Sequence, residues 1–119
     1  MKVVWAPAMT FPPHDHLTWA CNGLYSGVEH NTLFRLEDDS LHPAGELVIG
    51  DGEIGILDAD AIHAVRNPDP HRLSAAIHVY GGNFPQLPRS NWVGKPPARV
   101  PADIEHTKQI FASANQPSS

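Results

Sequence analysis

Cysteine is nearly missing from this chain: Cys21 is the only one in 119 residues. A lone cysteine excludes an internal disulfide and a zinc knuckle built from thiolates. Basic residues are also scarce, with 8 Lys and Arg against 13 Asp and Glu, for a net charge of −5. The nearest thing to a basic cluster, Arg89, Lys95 and Arg99, is spread through a proline-rich stretch. Nucleic acid is therefore not an expected partner. No run approaches the ~20 apolar residues of a membrane span. The segment MKVVWAPAMTFPPHDH has one lysine and no long apolar region, so it does not read as a signal peptide. The expected compartment is the cytoplasm, without a membrane partner. A sustained 3.6-residue apolar period is lacking too, which argues against a helical protein.

What the chain does contain is short, turn-punctuated strand signals. Its length predicts one domain, residues 1–119, with one core. Lys2 to Trp5, Thr32 to Leu36, Glu46 to Ile49, Glu53 to Leu57, Ile62 to Arg66 and Arg72 to Tyr80 read as strands. The aromatic and apolar stretch from His16 to Val28 joins them, with Gly23 and Gly27 as bends. His30-Asn31 reads as a turn. Glu37 to Ser40 has turn chemistry, and Gly50-Asp51-Gly52 reads as a hairpin turn. Ile104 to Phe111 is the one plausible helix. Pro85 to Pro101 holds five of the 12 prolines and is expected to form an irregular surface arm, and residues 112–119 a polar tail. So many short strands predict an all-β antiparallel sandwich or barrel, whose closure protects strand edges.

Eight histidines are present, and three form a pattern. His14 and His16, at i and i+2, share one face of a strand. His63 opens the run IHAVRN far downstream. Neutral imidazoles suit zinc, iron, nickel or copper, so two distant strands can assemble a first-row metal site. His78 and Tyr80 likewise share a face of the last strong strand. His30, His42, His71 and His106 lie beside turns or acidic residues and read as surface groups.

These residues resemble the cupin superfamily. His14 and His16 match the paired histidines of its first motif, and Gly27 the closing glycine. Cys21 stands where that motif has a glutamate ligand. His63 and Asn67 match the end of the second motif, whose Pro and Gly are replaced by Asp58 and Asp60. Within the superfamily, PHDH at 13–16, Cys21, and IHAVRNPDPHRLSAAIHVYGGNF at 62–84 are similar to cysteine dioxygenase and its small bacterial thiol-dioxygenase relatives. The resemblance covers roughly residues 12 to 84. It implies a double-stranded β-helix jelly roll. It also implies Fe(II) on His14, His16 and His63, with Ni or Zn as substitutes in a preparation. His78, Tyr80 and Cys21 are then expected beside the metal, and the substrates are a small thiol and O₂.

The sequence departs from that family in instructive ways. The family's arginine and tyrosine that precede the first motif have no counterpart in the 13 residues before His14. Arg35, Arg66 and Arg72 are the candidates for an anionic substrate group, Arg35 and Arg72 foremost. Ala76 replaces a serine. The expected activity is oxidation of a thiol to a sulfinic acid. The alternatives are another metal-dependent cupin enzyme (an isomerase, lyase or carbon-oxidising dioxygenase) or a non-enzymatic binding protein. A homodimer is expected, with Trp5, Trp19 and Trp92 as candidate contacts.

Overall fold

Period-2 alternation of buried and exposed side chains builds almost the whole molecule. The computed structural model describes residues 1–82 and 86–114. It contains β1 (Lys2–Trp5), β2 (Thr10–Asp15), β3 (Ala20–Ser26), β4 (Glu29–Glu37), β5 (Ser40–Ile49), β6 (Ile54–Leu57), β7 (Ile62–Arg66), β8 (Ser74–Tyr80), β9 (Ser90–Val93), β10 (Ala98–Pro101) and α1 (Ile104–Ala114). One sheet has the order β1-β8-β3-β6 and the other β10-β9-β2-β7-β4-β5. Every pairing is antiparallel. The result is an all-β double-sheet jelly roll.

The core lies between the sheets. Val3, Trp5, Ala6, Met9, Phe11 and Val65 form one buried cluster, with Ile110, Phe111 and Ala114 of α1 packed on it. Leu24, Ile49 and Ala76 form a second. The β4–β5 hairpin turns at Asp38 and Asp39, whose φ values of 49° and 63° are both positive, the twist that suits a two-residue hairpin. Gly27 turns β3 into β4 at φ 84°, with its backbone hard against Ser74. No helix among the described residues is long and apolar enough to cross a membrane.

Five expectations are corrected. Gly50-Asp51-Gly52 is a turn, but it carries the chain from one sheet to the other: β5 pairs with β4 and β6 with β3. Hydrogen bonds from Gly52 N to Leu24 O and from Leu24 N to Glu53 O dock the crossing on β3. His30 and Asn31 lie inside β4 rather than in a turn, because the chain has already crossed from one sheet to the other at Gly27. The arm expected at 85–101 includes β9 and β10, which extend the six-stranded sheet. Its prolines tolerate this: Pro96 and Pro97 sit in the connection, and Pro101 ends the edge strand β10, where a missing N–H costs little. Ala112 to Ala114 continue α1 rather than starting a tail. Asn83, Phe84, Pro85 and the rest of the tail, 115–119, lie outside the described residues. Trp5 and Trp92 are buried in the interior, which leaves Trp19 as the exposed tryptophan among the three.

Candidate metal centre

The sequence PPHDH creates a local distortion that serves the site. β2 is a central strand, where prolines are normally excluded. Pro12 and Pro13 fall in a bulge, between the pairs Phe11↔Val65 and His14↔His63. The bulge puts the two N–H-less residues where the ladder is already broken. It also frees the Pro12 carbonyl, which accepts a hydrogen bond from His14 Nδ1–H at 2.9 Å. Beyond it, the register sets His14 directly across from His63.

His14, His16 and His63 thus converge in the interior, all buried. Their ring centroids lie 4.4 to 5.0 Å apart. One nitrogen from each falls within 4.8 Å of the others. Burial drives His14 down to about 4 and His16 down to about 3, and pushes His63 well below the ordinary histidine value. The rings are therefore neutral at physiological pH, each with one lone pair to offer.

The donor set fits a metal ion. His14 presents its proton to a carbonyl that can only accept, so its Nε2 holds the lone pair. His63 Nδ1 lies 2.8 Å from Asn31 Oδ1, also an acceptor. His63 Nε2 is buried without a hydrogen-bond partner among the described residues. A buried orphan acceptor in a native interior calls for an explanation. A cation shared with His14 and His16 supplies one. No carboxylate joins this cluster among the described residues.

Glu29 is fully buried nearby, but its oxygens are occupied. Trp5 Nε1–H and His78 Nε2–H donate to Oε2 at 3.0 and 2.9 Å. Asn22 and Asn31 amides donate to Oε1 at 3.0 and 3.2 Å. Burial alone would push this carboxyl up. The bonds from His78, Trp5 and Asn31 outweigh that and hold it below its ordinary value. His78 Nδ1 in turn faces the Tyr80 hydroxyl at 3.3 Å. Burial, and then the Glu29 charge, push the Tyr80 phenol up to about 12, so it stays protonated. The Tyr80 ring stands edge-on to His16 at 4.9 Å.

The three histidines, His78 and Tyr80 line a cavity of about 530 Å³. Trp5, Phe11 and Val65 give it apolar walls, and Ile104, Thr107 and Phe111 of α1 cover it. Asp103 caps that helix by accepting from Glu105 N, and Phe111 stacks on Trp5 at 5.3 Å. Arg89 and Asn91 reach the same cavity from β9 and the residue before it.

Three expected site residues lie elsewhere. Cys21 is on the outer face of its sheet, opposite Ile56 and Val79. β3 keeps strict alternation there, so Asn22 takes the inward position. Arg35 is exposed on the long hairpin and paired with Glu37 at 2.7 Å. Arg72 is exposed and borders a separate hollow with Gly27, Asp51 and Asp69. Arg66 also faces solvent. Asn67 works structurally, its amide donating to the carbonyls of Trp5, Ala6 and Arg72.

Sequence reasoning missed Arg89, Asn91, Asn22 and Asn31 as parts of this neighbourhood, and read Glu29 only as a nearby acid that could join the metal. Arg89 and Asn91 were hidden in the proline-rich stretch. Glu29 and Asn31 carried a usable signal: two polar residues at i and i+2 share a strand face with core neighbours.

No family model and no curated protein matches the chain. Solved structures do match. An oxalate oxidase in complex with the substrate analogue glycolate aligns at TM-score 0.58 and 16% identity, over 98% of this chain and 63% of that one. A vicilin from Capsicum annuum aligns at TM-score 0.56 and 11% identity, over 99% and 40% respectively. The fold is that of the cupins. The chain spans less than two thirds of the length of these structures. Its three-histidine cluster, placed to hold a metal ion, lies in the interior of this jelly roll.

Proposed function

We propose that this cupin is an oxidoreductase that converts a small thiol and O₂ into a sulfinic acid at a ferrous site held by His14, His16 and His63. The observation that carries the reading is the charge of the donor set. Three neutral imidazoles with no carboxylate leave a divalent ion with its full charge, which favours an anionic partner such as a thiolate. A bound ferrous ion supplies that charge and the electrons that make O₂ reactive. In the overall change both oxygen atoms join sulfur, which loses four electrons while O₂ gains four.

The chain's own residues then select and hold the substrate. His14, His16 and His63 would hold the ion at the wall of the cavity they line, where a thiol could reach it. Arg89 gives the cavity a cation, and burial lowers its pKa against the pull of Tyr80 and Asp15. A carboxylate on the thiol would meet Arg89, and the inward Asn91 amide adds a donor beside His14. Tyr80 offers a neutral hydroxyl next to His16, and His78 holds its orientation. Apolar walls and the α1 side chains line the rest of the cavity, so a thiol entering it would shed part of its water shell.

The test is a panel of small thiols, with and without a carboxylate, given to the Fe(II)-loaded protein under O₂. The reading expects substrate-dependent O₂ uptake matched by sulfinate in mass spectra. Uptake with glycolate or oxalate but with no thiol would replace it by carbon oxidation. No uptake with either class would leave a binding protein.

A further inference from the structure

We propose that Glu29 is a positioning residue: it sets the direction of a hydrogen-bond chain from Tyr80 to His63, and so keeps the proton off the metal-facing nitrogen of His63. This rests on the reading that the three histidines hold a metal, and it concerns how the protein prepares one of them.

The argument is one of donors and acceptors. A carboxylate only accepts and an indole N–H only donates. Glu29, with no exposed surface, therefore forces every neighbour to present a proton. Asn31 must turn its NH₂ toward Glu29 Oε1, where the same group also reaches the Leu47 carbonyl. That orientation follows from the partners rather than from the amide's own shape. It leaves Asn31 Oδ1 facing His63 Nδ1 at 2.8 Å. Nδ1 must then carry the proton, and the lone pair falls on Nε2, the buried atom without a partner among the described residues. On the other arm, Glu29 Oε2 fixes a proton on His78 Nε2, so that Nδ1 faces the Tyr80 hydroxyl. One buried charge thus orders both the metal side and the Tyr80 side.

Glu29→Gln tests this, because it keeps the shape and removes the acceptor-only character. Trp5 Nε1–H has no way to accept, so the new side chain keeps its oxygen toward Trp5 and turns its NH₂ toward Asn22 and Asn31. Asn22 can reverse readily, since its Oδ1 is buried and has no partner among the described residues. Asn31 is then expected to present Oδ1 to the new amide and NH₂ to His63, giving up its bond to the Leu47 carbonyl. His63 Nδ1 then becomes the acceptor and its proton moves to Nε2.

Two readouts need neither thiol nor O₂. In metal-free protein with ¹⁵N-labelled histidine, long-range ¹H–¹⁵N spectra should show His63 protonated at Nδ1 and bare at Nε2. In Glu29→Gln the Nε2–H form should appear. Zn(II) affinity measured by calorimetry should fall about 10–100-fold, the usual cost of losing a group that orients a ligand. Wild-type His63 found protonated at Nε2 would overturn the proposal, and that measurement stands even if the variant fails to fold. So would a folded variant with an unchanged His63 tautomer and unchanged Zn(II) affinity. A protein that passes both tests yet oxidises no thiol would sink the functional reading and leave this one intact.

Discussion

At the scale of single residues, the burial of the three histidines has a consequence for stability. Their folded pKa values lie below the value near 6.5 that an unfolded histidine has. As pH falls through about 6.5 the unfolded chain takes up protons, while the native site does not until about 4 for His14 and about 3 for His16. The unfolded state binds more protons across that window, so stability drops as pH drops. Metal-free protein should therefore lose thermal stability from about pH 6.5 down to about pH 4, and a His14→Gln variant should lose less. Glu29 acts in a lower window. Its depressed carboxyl contributes stability above its unfolded value, and this is lost on acidification below about 4.5. Flat melting temperatures between pH 7 and 4 would contradict the buried, neutral site. Tyr80→Phe should keep the metal and slow thiol oxidation by about 10–100-fold, read as sulfinate formed per minute. The histidine pattern was legible because His-x-His needs only the two-residue period of a strand. Cys21 was misread because the chain turns at Leu17, φ 59°, and starts a strand of the other sheet, where Ala20 and Asn22 take the inward positions and leave Cys21 facing out.

At the scale of elements, the strands with clean alternation were readable, and those whose signal was masked by proline were not. β7 and most of β8 follow directly from their apolar spacing. β9 and β10 did not, because Pro88, Pro96, Pro97 and Pro101 make the segment look irregular. The pairing of β9 with β2, onto which β10 then adds, depends on distant contacts that local sequence does not encode. That is also why Arg89 and Asn91 escaped notice. Gly27 is the element-level feature most open to test. It sits at φ 84°, and an added Cβ would meet Ser74 Cβ at 2.8 Å. Gly27→Ala should therefore destabilise the protein by at least about 1 kcal/mol, since both the backbone region and the space oppose a side chain. A shift in the urea midpoint with an unchanged slope would register it.

At the scale of the molecule, the outer face of the β1-β8-β3-β6 sheet is open. Ile54, Ile56, Ile77 and Val79 surround Cys21 and Gly23 there, each 44% to 70% exposed, and the one charge beside them is Lys2 on the edge strand β1, directly across from Ile77. We propose that this face pairs with the same face of a second copy. Two-fold pairing sets a patch against itself, so charges at its centre would repel; here the centre on β8, β3 and β6 is uncharged and Lys2 lies at the β1 edge. A stable pair needs about 800 Å² per partner, so the contact must spread along the same face to Trp19, Tyr25 and Leu73, which are also exposed. Sedimentation should give twice the 13.0 kDa chain mass, and Ile56→Glu should give single chains with the metal site intact. A single-chain mass for the unaltered protein at micromolar concentration would refute the pairing. The jelly roll was legible at this scale because turn-punctuated short strands leave few other ways to protect edges.

The claim on which the rest depends is that β2 and β7 together hold one metal ion. Metal analysis of protein loaded with Fe(II) under anaerobic conditions and freed of excess tests it most directly, with the unaltered chain and His63→Ala side by side. The account predicts about one equivalent per chain in the first and little in the second, because removing one of three ligands leaves two from a single strand. A full equivalent in His63→Ala would contradict it.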